Sequence, residues 1–368
     1  MTMTSRKNTE PRLKSLWQVG GVIAAMWLLF PIRAEAGEFG LAVTSMDYGP
    51  YDDPTDCPAG LAQNPAQIYL ASLPPAKRKE FEDRDKRVGA LAAYLTTVLS
   101  QRRSANGHDT CEDPTAFKDP AMPIGQSKTS FGMDLDGGDR TTHCDHQEFL
   151  GANGQTGIDN QVARLTACIK SVRKEDNRRN QATDAGLKMG NEITLIRVSN
   201  VTDMENSDNV TVDIYKSRDG FMTDGTGTPL PDATMKAAEN EAVFHATTHG
   251  RIVKGVLITD PVDAHIMENP SDAFIRGARF QIDIHPDGHA NGILAGYYDN
   301  HSFWDSWARN SGLQIPNGYS CPALYERLNE LADGYKDPAT GKCTAISAAF
   351  NITAVRAFVV PPKTPDSM

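Results

Sequence analysis

Two stretches of this chain alternate apolar and polar residues with a period of two, and that pattern points away from a helical protein. Val210, Val212 and Ile214 alternate with Thr211, Asp213 and Tyr215, and Phe280, Ile282 and Ile284 alternate with Gln281, Asp283 and His285. Side chains along a strand point to opposite faces in turn, so each stretch has one buried and one wet face. Residues 193–198, 252–258 and 346–360 are further strand candidates, and Asp219-Gly220, Asp287-Gly288 and Asn317-Gly318 mark turns. Helical spacing is confined here to 158–173 and to 323–331, where Leu324, Leu328 and Leu331 recur. Alternating strands separated by turns, with few helices between them, predict a mostly β fold. The expected form is an antiparallel β-sandwich with a helical N-terminal extension and short accessory helices.

The first 36 residues read as a signal peptide. Arg6, Lys7, Arg12 and Lys14 precede a mostly apolar run over 16–30, and Ala34-Glu35-Ala36 supplies the small residues that signal peptidase needs before Gly37. That run is shorter than the roughly 20 residues of a spanning helix. Residues 37–125 form an extension rich in Pro and Asp. Its one amphipathic helix opens at Pro74-Pro75 and places Val88, Leu91, Leu95 and Leu99 on one face, ending near Gln101. The β-sandwich domain is expected over 126–368.

Loss of 1–36 removes five basic and two acidic side chains, so the formal net charge moves from −10 to −13. An acidic surface without a basic stripe excludes nucleic acid as a partner class and disfavours anionic membranes. A small neutral or cationic ligand suits it better, in a periplasmic or secreted protein that leaves the membrane after cleavage. Cys57, Cys111, Cys144, Cys168, Cys321 and Cys343 are an even set, which in an exported chain predicts three disulfides. Their spacing suggests pairing between sequence neighbours: Cys57–Cys111, Cys144–Cys168 and Cys321–Cys343.

The densest polar segment is Asp134-Leu135-Asp136-Gly137-Gly138-Asp139, followed by His143, Cys144, Asp145, His146 and Glu148. Carboxylates spaced along a glycine-bent loop suit calcium, a hard cation that needs oxygen donors converging on one point. Asp134, Asp136, Asp139 and Asp145 are the candidate ligands, although the loop departs from an EF-hand in its glycine position and its terminal acid. His143 and His146, beside Asp145 and Glu148, offer zinc or copper instead. Asp159 is placed to cap the first turn of the following helix or to accept a bond from a loop amide, and capping is the preferred reading. A second acidic loop over 333–341 offers Asp333 and Asp337 to calcium or forms a plain turn. His245 and His249 lie in a strand-like stretch and read as an incidental pair.

Residues 296–307 mix aromatic and hydrogen-bonding side chains. Tyr297, Tyr298, Asp299, Asn300, His301, Trp304 and Trp307 are the candidate ligand-binding residues, since flat apolar faces beside directional polar groups suit a sugar ring. Core packing is the competing account of the same aromatics. No Gly-x-Ser-x-Gly elbow, His-Glu-x-x-His, phosphate-cradling loop or dinucleotide fingerprint is present. The expected function is therefore that of an exported, disulfide-stapled, calcium-associated ligand-binding protein. The alternatives are an exported metal-dependent hydrolase or lyase acting on a polysaccharide or other neutral polymer, and a structural component of an envelope assembly.

Overall fold

One strand decides the architecture. β11 (Cys343–Val360) is 18 residues long and pairs antiparallel with β9 (His289–Asp299) along one edge and with β1 (Glu38–Asp47) along the other. The remaining ladders run from β1 through β2 (Ile193–Ser199), β3 (Asn206–Ser217), β5 (Ala246–Val253), β6 (Val256–Thr259) and β8 (Asp272–Ile284) back to β9. The result is a closed, eight-stranded antiparallel barrel, not the expected open sandwich. The correction has a simple cause: alternation reports a buried and a wet face, which a barrel wall and a sandwich sheet share. Closure depends on which strand meets β1, a pairing across more than 300 residues that no local pattern encodes. The computed structural model describes residues 37–49, 54–85, 107, 109–139, 141–189, 192–268, 271–309 and 317–363. The expected signal peptide and the helical stretch after Asp85 lie outside them.

The three other strands extend the wall. β4 (Ala233–Lys236) runs parallel to the end of β11, β7 (Val262–Met267) continues the edge of β8 beyond β6, and β10 (Gly334–Lys336) pairs with the start of β11. Inward positions on successive strands are apolar: Leu41, Ile196, Val212, Ile252, Leu257, Phe280, Leu294 and Phe350 all belong to one buried core. The interior is thus filled by side chains, as in other small barrels.

The helices are short. Among the described residues they are α1 (Pro65–Ser72), α2 (Pro75–Asp85), α3 (Gln161–Thr166), α4 (Arg178–Lys188), α5 (Asn300–Trp304) and α6 (Cys321–Leu331). Side chains at their starts explain several boundaries. Asn64 and Gln67 form a capping box on α1, Asn160 caps α3, and Asp299 and Ser320 cap α5 and α6. Among the described residues no helix is long and apolar enough to cross a membrane.

All six cysteines are oxidised, but not between sequence neighbours. The bonds are Cys57–Cys168, Cys111–Cys321 and Cys144–Cys343, with sequence separations of 111, 210 and 199. Neighbouring cysteines lie on segments that dock to different parts of the barrel, so proximity in sequence does not become proximity in space. Three disulfides are the mark of an oxidising, extracellular type of environment.

A fully buried carboxylate organises another part of the core. Glu268 is 0% exposed, pairs with Arg179 at 2.6 Å, and accepts hydrogen bonds from the hydroxyls of Tyr48, Tyr298 (2.6 Å) and Ser306 (3.1 Å). The Trp307 indole donates to the Tyr48 oxygen at 3.0 Å. Both carboxylate oxygens are satisfied, as a buried charge requires.

Candidate metal centre

The site forms on the outer face of the barrel where β9 and β11 run side by side. Leu294, Tyr298, Ile346, Ala348 and Phe350 point into the main core. Their alternates Ala295, Tyr297, Ala345 and Ala349 form a separate cluster with Leu135, against which Phe131 and Met133 pack. The 131–135 segment therefore lies across this face like a strap. Arg279 on β8 holds it there, donating at 2.9 Å to the carbonyls of both Asp134 and Leu135.

Beneath the strap lies a buried Asp–His–Asp array. The Leu135 and Asp136 amides donate to Asp159 Oδ2 at 2.7 and 3.3 Å, and His146 Nε2 meets Asp159 Oδ1 at 2.7 Å. His146 Nδ1 lies 3.0 Å from the Cys144 carbonyl and 3.7 Å from Asp333 Oδ2. Asp333 accepts from the Ser347 amide at 2.6 Å and from its hydroxyl at 2.7 Å. The His146 side chain is only 4% exposed, the Asp159 and Asp333 carboxylates are at 0%, and Asp136 is half-buried.

The electrostatics follow from this geometry. A carbonyl and a carboxylate oxygen can only accept, so both ring nitrogens of His146 must donate and the ring is an imidazolium. Burial works against that charge, but the Asp159 hydrogen bond, the Asp333 carboxylate and the Cys144 carbonyl outweigh it and hold the His146 pKa up at about 9. Burial also raises Asp333 to about 6, against the opposing pull of His146 and the Ser347 hydrogen bonds.

Asp136, His146 and Asp159 each offer one donor atom, and these atoms all lie within 4.8 Å of one another. Nε2, on losing the proton it shares with Asp159, is the ring nitrogen that would meet a cation, while Nδ1–H stays on the Cys144 carbonyl. That outer bond fixes the ring's orientation and tautomer, as it does for most metal-binding histidines.

Of the four carboxylates expected to bind calcium, the structure brings Asp136 into this array. Asp134 is exposed and accepts from the Gly137 amide at 2.7 Å. Asp139 is exposed and accepts from Thr141 and Thr142. Asp145 is exposed as well. In the second acidic loop, Asp337 closes its own turn through the Ala339 amide and the Thr340 hydroxyl, while Asp333 enters the array. His245 stacks on Tyr215, and His249 is exposed on β5. Asp159 was expected to be a helix cap; Asn160 caps α3 and frees Asp159 to face the loop amides.

The aromatic segment divides. Tyr298, Trp304 and Trp307 lie in the barrel core and Asp299 caps α5, whereas His301 is exposed and Asn300 half-buried. Tyr297 faces outward instead, packed in the cluster with Leu135 beneath the strap. Its ring lies 5.0 Å from that of His143 and 5.6 Å from that of Tyr335.

No family description, no curated protein and no solved structure matches this chain. The array's link to the sequence is Cys144, which stands two residues before His146, while its partner Cys343 stands four residues before Ser347. An acidic loop that carries one cysteine and a second that ends just before another are the sequence signal for the pairing and the site.

Proposed function

We propose that this is an exported metal-binding protein whose barrel presents a transition-metal site made by Asp136, His146 and Asp159. The convergence of their donor atoms within 4.8 Å, on a fully buried Asp159, is the observation that carries this reading. The His146 imidazolium already offsets the Asp159 charge, so a cation would take the place of the Nε2 proton between the two side chains. Calcium, expected from the carboxylates alone, is the weaker candidate, because an imidazole donor suits first-row transition metals and calcium takes oxygen. The apparent signal sequence and the three disulfides support export.

Metal analysis of mature protein purified from its own oxidising compartment tests the reading. The expected result is a stoichiometric transition metal, lost in His146→Gln and Asp159→Asn. After chelation, returning the metal at a hundredfold excess over Kd should stabilise the fold by about 2.7 kcal/mol. A metal-free protein whose melting curve ignores manganese, iron, zinc and calcium alike would overturn it.

A further inference from the structure

Tyr297 on β9 sits directly opposite Ser347 on β11, the residue that anchors Asp333 through its amide and hydroxyl. Opposed outward positions of a ladder place their side chains together, so the phenol stands on the sheet side beside the Ser347–Asp333 pair. Gly334, next to Asp333, leaves room for it, since a Cβ there would collide with the Tyr297 ring. The residue is 3% exposed, and its hydroxyl makes no hydrogen bond to the described residues. A buried phenol is ordinarily satisfied. This one is unpartnered while the carboxylates of Asp333, Asp159 and Asp136 all act on it.

Resting on the metal reading above, we propose that the Tyr297 hydroxyl is a fourth protein ligand and that the cation is ferric iron. Two carboxylates, a phenol and an imidazole form a predominantly hard donor set. A trivalent ion balances the charges of Asp136, Asp159 and the phenolate. On binding, the Tyr297 O–H and the His146 Nε2–H protons leave to solvent, iron–oxygen and iron–nitrogen bonds form, and no electron is transferred.

The test is optical. Chelated mature protein with intact disulfides is titrated with ferric nitrilotriacetate. The expected result is a visible phenolate-to-iron charge-transfer band that saturates at a single site. Tyr297→Phe keeps the ring packed and should keep the melting temperature, yet lose the band and at least about tenfold in ferric affinity. Tyr335→Phe, at the neighbouring phenol, should keep both. Iron bound without a band, or a band that survives Tyr297→Phe, overturns the ligand assignment. Tight zinc or manganese with no ferric binding overturns the inference and leaves the metal reading standing, whereas no metal bound at all removes both.

Discussion

Cys144 is bonded to Cys343, and the peptide groups around that bond hold the two halves of the metal centre together. The Cys144 amide donates to the Asp333 carbonyl at 2.8 Å, and the Cys144 carbonyl receives His146 Nδ1. Replacing both cysteines by serine should therefore loosen the loop that carries His146 without opening the barrel, whose closing β1–β11 ladder begins only at Asn351. The expected loss is about 2–5 kcal/mol of stability and at least about tenfold in metal affinity. Denaturant titration and metal competition measure the two, and unchanged metal affinity would show that the bond does not position the site.

Asp159 has the most to lose from truncation. Asp159→Ala strands the Leu135 and Asp136 amides and leaves the His146 imidazolium beside one fewer carboxylate. Removing one partner of a buried pair costs about 3–5 kcal/mol. Asp134→Ala, at an exposed turn, should stay within about 0.5 kcal/mol. Urea midpoints for the two variants separate the buried array from the acidic surface around it.

Part of this architecture is legible in the sequence. Strands 193–198 and 346–360 are legible because their composition and alternation are local, and α6 because Leu324 and Leu328 recur at helical spacing. Residues 252–258 read as one strand but form a hairpin, with Lys254 and Gly255 at positive φ between β5 and β6. β1 goes unread because Phe39, Leu41, Ala42 and Val43 are all buried, giving an apolar run with little alternation. The acidic segment 134–148 is legible as a place for a cation. That Asp159 and Asp333 complete it is not, because their approach depends on the register of β11 and on a disulfide spanning 199 residues.

Glu268 offers a test of the core apart from the metal. Glu268→Gln keeps its shape but leaves the Arg179 guanidinium, stacked 4.5 Å over Trp307, without its counter-charge. The expected cost is about 3–5 kcal/mol. Combining it with Arg179→Met should recover part of that loss, because the pair's partners are then both neutral. A double-mutant cycle by chemical denaturation measures the coupling, and strict additivity would deny that the ion pair acts as a unit.

Trp304 and Trp307 are the only tryptophans after residue 36, and Trp307 is stacked 5.2 Å from Phe303 in the core. Emission should be blue-shifted and poorly quenched by acrylamide. Trp307→Ala removes the stack and the hydrogen bond to Tyr48, with an expected loss of about 3–5 kcal/mol. Red-shifted, readily quenched emission in the folded protein would place these indoles at a solvent-facing surface instead.

The pH dependence of stability should carry a signature from the end of β1. Asp47 is partly buried there, and burial first, then the nearby Asp184 carboxylate, push its pKa up to about 6 against the opposing effects of Ser45 and Lys188. A buried oxygen of each aspartate makes no hydrogen bond to the described residues. Because the folded value lies above the unfolded one, the native state binds more protons between about pH 4 and pH 6. Stability must then fall as pH rises through that window, and the penalty is fully present above it. Asp47→Asn removes the charge while keeping the shape. Allowing for its partial exposure to water, the variant should be more stable than the parent by about 1 kcal/mol at pH 7.5 and no more stable at pH 4. Thermal melts of both proteins across that range, with metal held constant, measure the difference. A gain independent of pH would mean that the carboxyl is not protonated in this window and that the two aspartates do not repel each other in the folded protein.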